Sequence, residues 1–311
     1  MTTPQAPRKD TVFRNYSATA AQTYATIRPS YPAELYSFVL SRHEQTGGQF
    51  GTLLDIGCGP GNATRDLAPA FEHATGADPG AEMIAMATKL GGKAKEGAIS
   101  WRVAGAEEIA DDERAGFAEG SVDLLTAAMA AHWFDMPAFW KQAARLVKPG
   151  GSVAIFCRSS YFCHPTTPNI EEVQRIFDDF EKTDLAPYGL AGHSMTREFY
   201  SALSLPWNFE GGGSPEFPQD KFERHVWNVD GSLDGADGTD FFGGSLTLTF
   251  PQLEKLVGTA SLVTMWRKDH PEAEGTDNDI VKIASKKLQD ATGASEIKIG
   301  TGFALLFFKR T

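Results

Sequence analysis

Residues 53–61, with the sequence LLDIGCGPG, constrain the fold of this chain more than any other stretch. An apolar run that stops at a cluster of glycines predicts a β-strand followed by a tight turn and a helix. Glycine has no Cβ, so the backbone of such a turn can approach a nucleotide-like ligand closely. A second apolar run ends at Asp78. The sequence therefore predicts a parallel α/β sheet with a ligand at the carboxyl ends of its strands.

The spacing of the glycines argues against a dinucleotide. The Rossmann fingerprint places glycine at its first, third and sixth positions, which lets the turn hold a pyrophosphate. Here the glycines are Gly57, Gly59 and Gly61, and the sixth position is Asn62. We therefore do not expect NAD as the ligand.

Alternating apolar runs and amphipathic segments predict a doubly wound α/β sheet up to about residue 158. The predicted strands are 52–56, 73–77, 99–104, 122–127 and 152–157. The predicted helices are 15–27, 32–44, 63–70, 81–90 and 136–147. The first two of these helices precede the first strand and are interpreted as a lid.

Beyond residue 158 the pattern changes, because prolines and glycine clusters interrupt it. The stretch is too long for one structureless loop, so we interpret it as an insertion that covers the substrate. Further helices are predicted at 170–182, 250–266 and 279–291, with a strand at 222–229 and a final edge strand at 297–309. The expected organisation is lid helices at 1–48, a ligand-binding core at 49–158, the insertion and its helices at 159–295, and the final edge strand of the core sheet at 296–311.

The composition excludes several classes of partner. With 29 basic and 40 acidic residues the net charge is −11, which repels nucleic acids and anionic membranes. No run approaches the roughly 18 apolar residues that span a bilayer, and the polar N-terminus lacks the apolar core of a secretory signal; a cytoplasmic location is expected. The three cysteines suggest neither a disulfide framework nor a zinc site, and no metal is expected. We expect a small-molecule substrate and a monomer or homodimer.

The glycine turn with its two carboxylates resembles the first motif of class I S-adenosylmethionine-dependent methyltransferases. The resemblance implies S-adenosylmethionine as the cofactor, bound by the core at 49–158, and a seven-stranded, mostly parallel, Rossmann-like sheet. It also implies that Asp55 contacts the methionine end of the cofactor, directly or through water. Asp78 would then accept hydrogen bonds from the ribose hydroxyls.

Further cofactor contacts follow from the same resemblance. Ala106 and Glu107, after the third predicted strand, correspond to the position that meets the adenine. Arg28 and Tyr24 lie on the predicted lid, where a guanidinium can bind a carboxylate in a bidentate manner. The full set of predicted cofactor-binding residues is Tyr24, Arg28, Asp55, Gly57, Gly59, Gly61, Asp78, Pro79, Met83, Ala106, Glu107 and Ala128.

Three other segments narrow the resemblance. They are Phe13, Tyr16, Tyr24 and RPSYP at 28–32; AHWFD at 131–135; and LTLTF at 246–250 before a predicted helix that ends at Trp266. Together they are similar to a fungal branch related to trans-aconitate methyltransferases and to the enzyme that methylates and detoxifies cantharidin. The branch implies substrate contacts at Tyr16, His132, Trp133, Arg158 and Trp266. Beyond the sheet, further candidate contacts are His164, His193, Arg197, His225 and Trp227.

The acceptor atom decides what His132, the predicted catalytic residue, has to do. A carboxylate is ionised at neutral pH and needs no base, so His132 would only orient it. A phenol or alcohol would need a side chain to take its proton, and His132 would then act as that base. We favour a carboxylate oxygen. A natural-product O-, C- or S-methyltransferase and a cofactor-binding regulator without catalytic activity stay open.

Overall fold

The computed structural model describes residues 22, 25–26, 30–112, 116–189, 191–209 and 214–311. Most of the lid helix predicted at 15–27 lies outside the described residues, so it stays a prediction. Among the described helices, none is both long and apolar enough to cross a membrane.

Eight strands form the central sheet of the described chain. They are β1 (Thr52–Ile56), β2 (His73–Asp78), β3 (Ser100–Val103), β4 (Val122–Ala128), β5 (Val147–Cys163), β6 (Glu223–Trp227), β7 (Leu246–Thr249) and β8 (Glu296–Lys309). The strand order is β3-β2-β1-β4-β5-β8-β6, and β7 pairs with the start of β8. The first five strands pair in parallel, whereas β8 is antiparallel to β5, β6 and β7. The prediction of a doubly wound, mostly parallel sheet is confirmed, with seven strands in the main path and β7 as an eighth.

Helices cover the sheet and occur throughout the insertion. They are α1 (Ala33–Gln45), α2 (Asn62–Leu67), α3 (Ala81–Leu90), α4 (Met136–Leu146), α5 (Ile170–Asp179), α6 (Ala191–Arg197), α7 (Phe250–Val257), α8 (Ser261–Asp269) and α9 (Ile280–Thr292). A π-helical turn, Phe180–Asp184, extends α5. The residues 93–94 and 97–98 pair as a separate short hairpin.

Both faces of the sheet are buried along its central strands, and neither β1 nor β4 contains an exposed residue. Leu53 and Leu54 are neighbours on β1 and point to opposite faces, and neither side chain is exposed. Leu53 packs with Leu35 of α1, and Leu54 packs in the same layer as Trp140 of α4. Because β1 to β5 run in parallel, their carboxyl ends meet at one edge, where α/β proteins bind ligands.

Two sequence predictions about the C-terminal region are wrong. The last strand, β8, is not an edge strand, because β5 pairs with one side of it and β6 and β7 pair with the other. All residues from Phe303 to Phe308 are buried, as expected for a strand with neighbours on both sides. The single helix predicted at 250–266 is two helices, α7 and α8. The break follows Gly258, where the Thr259 hydroxyl donates a hydrogen bond to the Leu256 carbonyl.

The predicted boundary between core and insertion falls inside a strand. We expected the fifth strand to end at residue 157, but β5 continues to Cys163. Its extension pairs with β8 at Tyr161, Phe162 and Cys163. The insertion therefore begins as a direct continuation of the core sheet.

Candidate active site

The turn between β1 and α2 contains three glycines with positive φ, each for a different reason. Gly57 has a φ of +67°, and a Cβ there would lie 2.5 Å from that of Ala130. Gly61 has a φ of +86°, and its missing side chain leaves room for the ring of Trp101. Gly59 has a φ of +54°, but a Cβ there would have no described atom within 4 Å. Gly59 thus turns bare backbone toward open space at the carboxyl edge of the sheet.

Asp78 ends β2 and connects this turn to the next one. Its Oδ2 accepts a hydrogen bond from the Gly59 N–H at 2.9 Å, and its Oδ1 accepts one from the Gly80 N–H at 2.7 Å. The side chain is only partly buried. The open backbone of Gly59 and a partly accessible carboxylate are therefore held side by side.

Asp55 lies beneath the turn and is fully buried. Its Oδ2 accepts a hydrogen bond from the Thr64 hydroxyl at 2.6 Å, and its Oδ1 accepts one from the Thr126 hydroxyl at 2.7 Å. Burial raises the pKa of this carboxyl to about 6, and the nearby charge of Asp78 adds to the effect. Asp55 thus joins β1 to α2 and β4, which places it to support the turn from below.

The other described members of the predicted cofactor set lie around the same edge. Pro79 follows β2, Met83 is buried on α3, and Ala128 is the last residue of β4. Ala106 is buried beyond β3. Beside it, Glu107 accepts a hydrogen bond from the N–H of Asp135 at 3.2 Å. Three predicted site residues, Tyr16, Tyr24 and Arg28, lie outside the described residues.

His132 lies in a short helical turn, Ala131–Trp133, directly after β4. It is buried, and its Nδ1 lies 2.8 Å from the hydroxyl oxygen of Tyr200. Burial, together with the smaller effect of the neighbouring His193, lowers the pKa of His132 to about 3. The Trp133 ring lies 4.6 Å from the His132 ring and 5.3 Å from that of His193, between centroids. At neutral pH His132 is thus an uncharged imidazole. Its ring, that of Trp133 and that of His193 together form what we call the aromatic wall.

Tyr200 is the site residue that sequence reasoning missed. It is separated from His132 by 68 positions and is buried in the insertion. No motif or periodicity marks it, because only the docking of the insertion onto the core brings the two side chains together.

The two remaining predicted substrate contacts, Arg158 and Trp266, have partners of their own in the structure. The Arg158 guanidinium lies 4.7 Å from the centre of the Tyr31 ring, and its Nη2 donates a hydrogen bond to the carbonyl of Ser30. Arg158 therefore holds the chain where it enters α1. Trp266 packs among the helices of the insertion, edge-on to His270.

The comparisons with known proteins agree with this geometry. Residues 54–155 match the family described as Methyltransferase domain. A Dictyostelium discoideum protein named as a methyltransferase is 34% identical over 47% of this chain and 50% of its own length. Methyltransferase AacuQ of Aspergillus aculeatus is 33% identical over 48% of this chain and 45% of its own length. The chain thus matches about half the length of these two relatives.

Two further similarities extend over most of the chain. CRG1 of Saccharomyces cerevisiae, named as an S-adenosylmethionine-dependent methyltransferase, is 22% identical over 89% of each chain. A solved structure from Anaeromyxobacter dehalogenans, described as a type II methyltransferase, has a TM-score of 0.60 and 22% identity, and covers 91% of this chain and 97% of that one. This second similarity shows a shared fold. Residues 54–155 therefore match a methyltransferase domain, and the chain has the fold of class I methyltransferases.

Proposed function

We propose that this chain, whose cofactor is S-adenosylmethionine, transfers a methyl group to a carboxylate oxygen of a small molecule. One observation carries the proposal: the open backbone at Gly59 lies beside the Asp78 carboxylate at the carboxyl edge of the sheet. A nucleoside with a hydroxyl-bearing ribose fits this pair, because the carboxylate can accept from the ribose while the glycine allows close approach. When bound, S-adenosylmethionine supplies the methyl group from its sulfonium.

Each core residue has a proposed part in holding the cofactor. Gly59 and its neighbours offer backbone to the methionine end, and Asp78 accepts hydrogen bonds from the ribose. Ala106 and Glu107 lie where the adenine would bind, since they follow the neighbouring strand β3. We propose that Asp55 acts through the turn, because, unlike the partly exposed Asp78, it is fully buried beneath the turn and bonded to the hydroxyls of Thr64 and Thr126.

The state of His132 favours a carboxylate as the acceptor. An imidazole whose burial lowers its pKa to about 3 is a weak base at neutral pH. It can still donate one hydrogen bond and so orient an acceptor that is already ionised. The resemblance of residues 131–135 to trans-aconitate methyltransferases supports the same acceptor class.

A natural-product methyltransferase acting on an aromatic acceptor is the second candidate. The aromatic wall of Trp133, His132 and His193 favours it, because an aromatic acceptor can pack edge-on or tilted against these rings as they pack against one another. A phenol in this position would need a base other than a neutral, weakly basic His132.

Methyl transfer to a carboxylate can be recognised without knowing the substrate. Enzyme and S-adenosylmethionine labelled on the methyl group would be incubated with a metabolite extract and, separately, with trans-aconitate and other small organic acids. Methyl esters hydrolyse in mild base and release the label as volatile methanol, whereas aryl ethers and C-methyl products keep it. We expect base-labile product from the wild type.

The outcomes separate the candidates. A matched reaction with Gly59→Val should give no product, because a side chain there occupies the cofactor's place. Base-stable product would contradict a carboxylate acceptor and favour the aromatic one. Tight binding of S-adenosylhomocysteine with no product from any extract would favour a regulator without catalytic activity.

A further inference from the structure

The insertion holds Tyr200 against His132 through several independent contacts. Tyr200 has a φ of +58° and the preceding Phe199 has a φ of +55°, a backbone conformation that residues other than glycine rarely adopt. Arg224 of β6 donates hydrogen bonds to both of their carbonyl oxygens. The Phe199 ring lies against Gly302 of β8, where a Cβ would come within 2.6 Å of it. β6 and β8 therefore stabilise a strained turn, and that turn positions the Tyr200 hydroxyl.

The surroundings of that hydroxyl indicate which way its proton points. Burial raises the pKa of the Tyr200 phenol, and the nearby backbone of His132 offsets part of that increase, so the hydroxyl keeps its proton at neutral pH. Nδ1 of His132 lies 2.8 Å from this oxygen and is the acceptor that the described residues offer to the buried phenol proton, which would otherwise lose its hydrogen bond on burial. Burial keeps both side chains uncharged at neutral pH, since it raises the pKa of Tyr200 and lowers that of His132. A neutral imidazole that accepts at Nδ1 carries its proton on Nε2.

We propose that Tyr200 is a positioning residue that donates a hydrogen bond to Nδ1 of His132 and so fixes the imidazole with its proton on Nε2. This proposal deepens the proposed function and rests on it for the nature of the acceptor. With Nε2 protonated, His132 donates a hydrogen bond to an acceptor oxygen and cannot remove a proton from it. The arrangement selects an acceptor that is already ionised, such as a carboxylate, over a phenol or alcohol. No proton moves during the transfer to such an acceptor.

The tautomer of His132 can be measured directly. In protein labelled with ¹⁵N-histidine, two-bond ¹H–¹⁵N correlations show which ring nitrogen carries the proton. The His132 signals are identified by their loss in His132→Gln. We expect the proton on Nε2 in the wild type and a mixture of the two tautomers in Tyr200→Phe. A proton on Nδ1 in the wild type would overturn the proposal, and so would an unchanged pattern in Tyr200→Phe.

Kinetics supply a second test. Tyr200→Phe should lower kcat by about 10- to 100-fold, because a misplaced orienting group costs that much, while the affinity for S-adenosylhomocysteine stays that of the wild type. Tyr188→Phe is the matched control, since it removes a tyrosine hydroxyl among the helices of the insertion; its kcat should not change. A wild-type kcat in Tyr200→Phe would contradict a positioning role.

The two readouts distinguish a failure of this proposal from a failure of the proposed function. The tautomer measurement needs neither substrate nor turnover, so it stands even if the acceptor is not a carboxylate. Its wild-type result, a proton on Nε2 or on Nδ1, does not depend on a Tyr200 variant, which keeps the proposal testable if Tyr200→Phe does not fold. Nε2 protonation together with a base-stable product would contradict the carboxylate acceptor alone.

Discussion

Replacing Gly59 with alanine should weaken cofactor binding by more than its effect on the fold can explain. Gly59 has a φ of +54°, so a side chain costs about 1–2 kcal/mol of stability. A Cβ there meets no described protein atom within 4 Å, so the protein itself has room for it. A ligand packed on this backbone has no such room, and inserting a methyl group into a packed contact costs about 1–3 kcal/mol. At 1.4 kcal/mol for each factor of ten, the Kd should rise about 5- to 150-fold.

Gly293 offers a matched control for the backbone strain. It has a φ of +62°, caps α9, and a Cβ there would likewise meet no described atom within 4 Å. Gly293→Ala should therefore lose a similar amount of stability and bind the cofactor like the wild type. Calorimetric titration with S-adenosylhomocysteine and urea unfolding measure the two quantities, and NAD, which we expect not to bind, serves as a negative ligand. An unchanged Kd in Gly59→Ala would refute the assignment of this turn as the cofactor site.

Three further substitutions test the roles of individual side chains. Asp78→Ala should raise the Kd for S-adenosylhomocysteine at least about tenfold, because it removes a charged hydrogen-bond acceptor. Each such hydrogen bond is worth about 1.5–3 kcal/mol, and water replaces part of that energy in the variant. The control Asp290→Ala removes the same charge from an exposed position on α9 and should bind S-adenosylhomocysteine like the wild type. His132→Gln should lower kcat by less than roughly a hundredfold, since an orienting contact is lost rather than a base. Burial lowers the pKa of His132 to about 3, so the imidazole stays uncharged from pH 5 to 8. The kcat of the wild type should therefore show no change in that range that is due to a titrating histidine. A large, pH-dependent loss of kcat in His132→Gln would support a hydroxyl acceptor. Asp55→Asn should change how stability depends on pH, because burial raises the pKa of this carboxyl from its ordinary value of 3.8 to about 6. Between these values the folded state holds a proton that the unfolded state releases, so the free energy of unfolding of the wild type should fall relative to Asp55→Asn by about 2 kcal/mol as pH rises from 4 to 7. Urea unfolding at each pH measures this difference, and parallel curves would show that the pKa of Asp55 is not raised.

The sequence alone determined the part of the protein that depends on neighbours along the chain. The strand, turn and helix around Gly57, Gly59 and Gly61 follow from an apolar run that meets glycines, and the first strand has the predicted bounds, Thr52–Ile56. The position of Asp78 at a strand end follows in the same way, because a parallel sheet brings successive carboxyl ends to one edge. The fold class and the glycine turn between β1 and α2 were therefore predictable from the sequence.

Only the tertiary structure decided which distant groups meet. The interior position of β8 depends on where β6 and β7 return to the sheet, and an apolar run alone does not specify its neighbours. The contact between His132 and Tyr200 depends on a left-handed turn that Arg224 and the absence of a side chain at Gly302 stabilise. Those interactions join residues from the core, the insertion and the last strand. Periodicity and spacing carry no information about such contacts, because they report only on local conformation and burial.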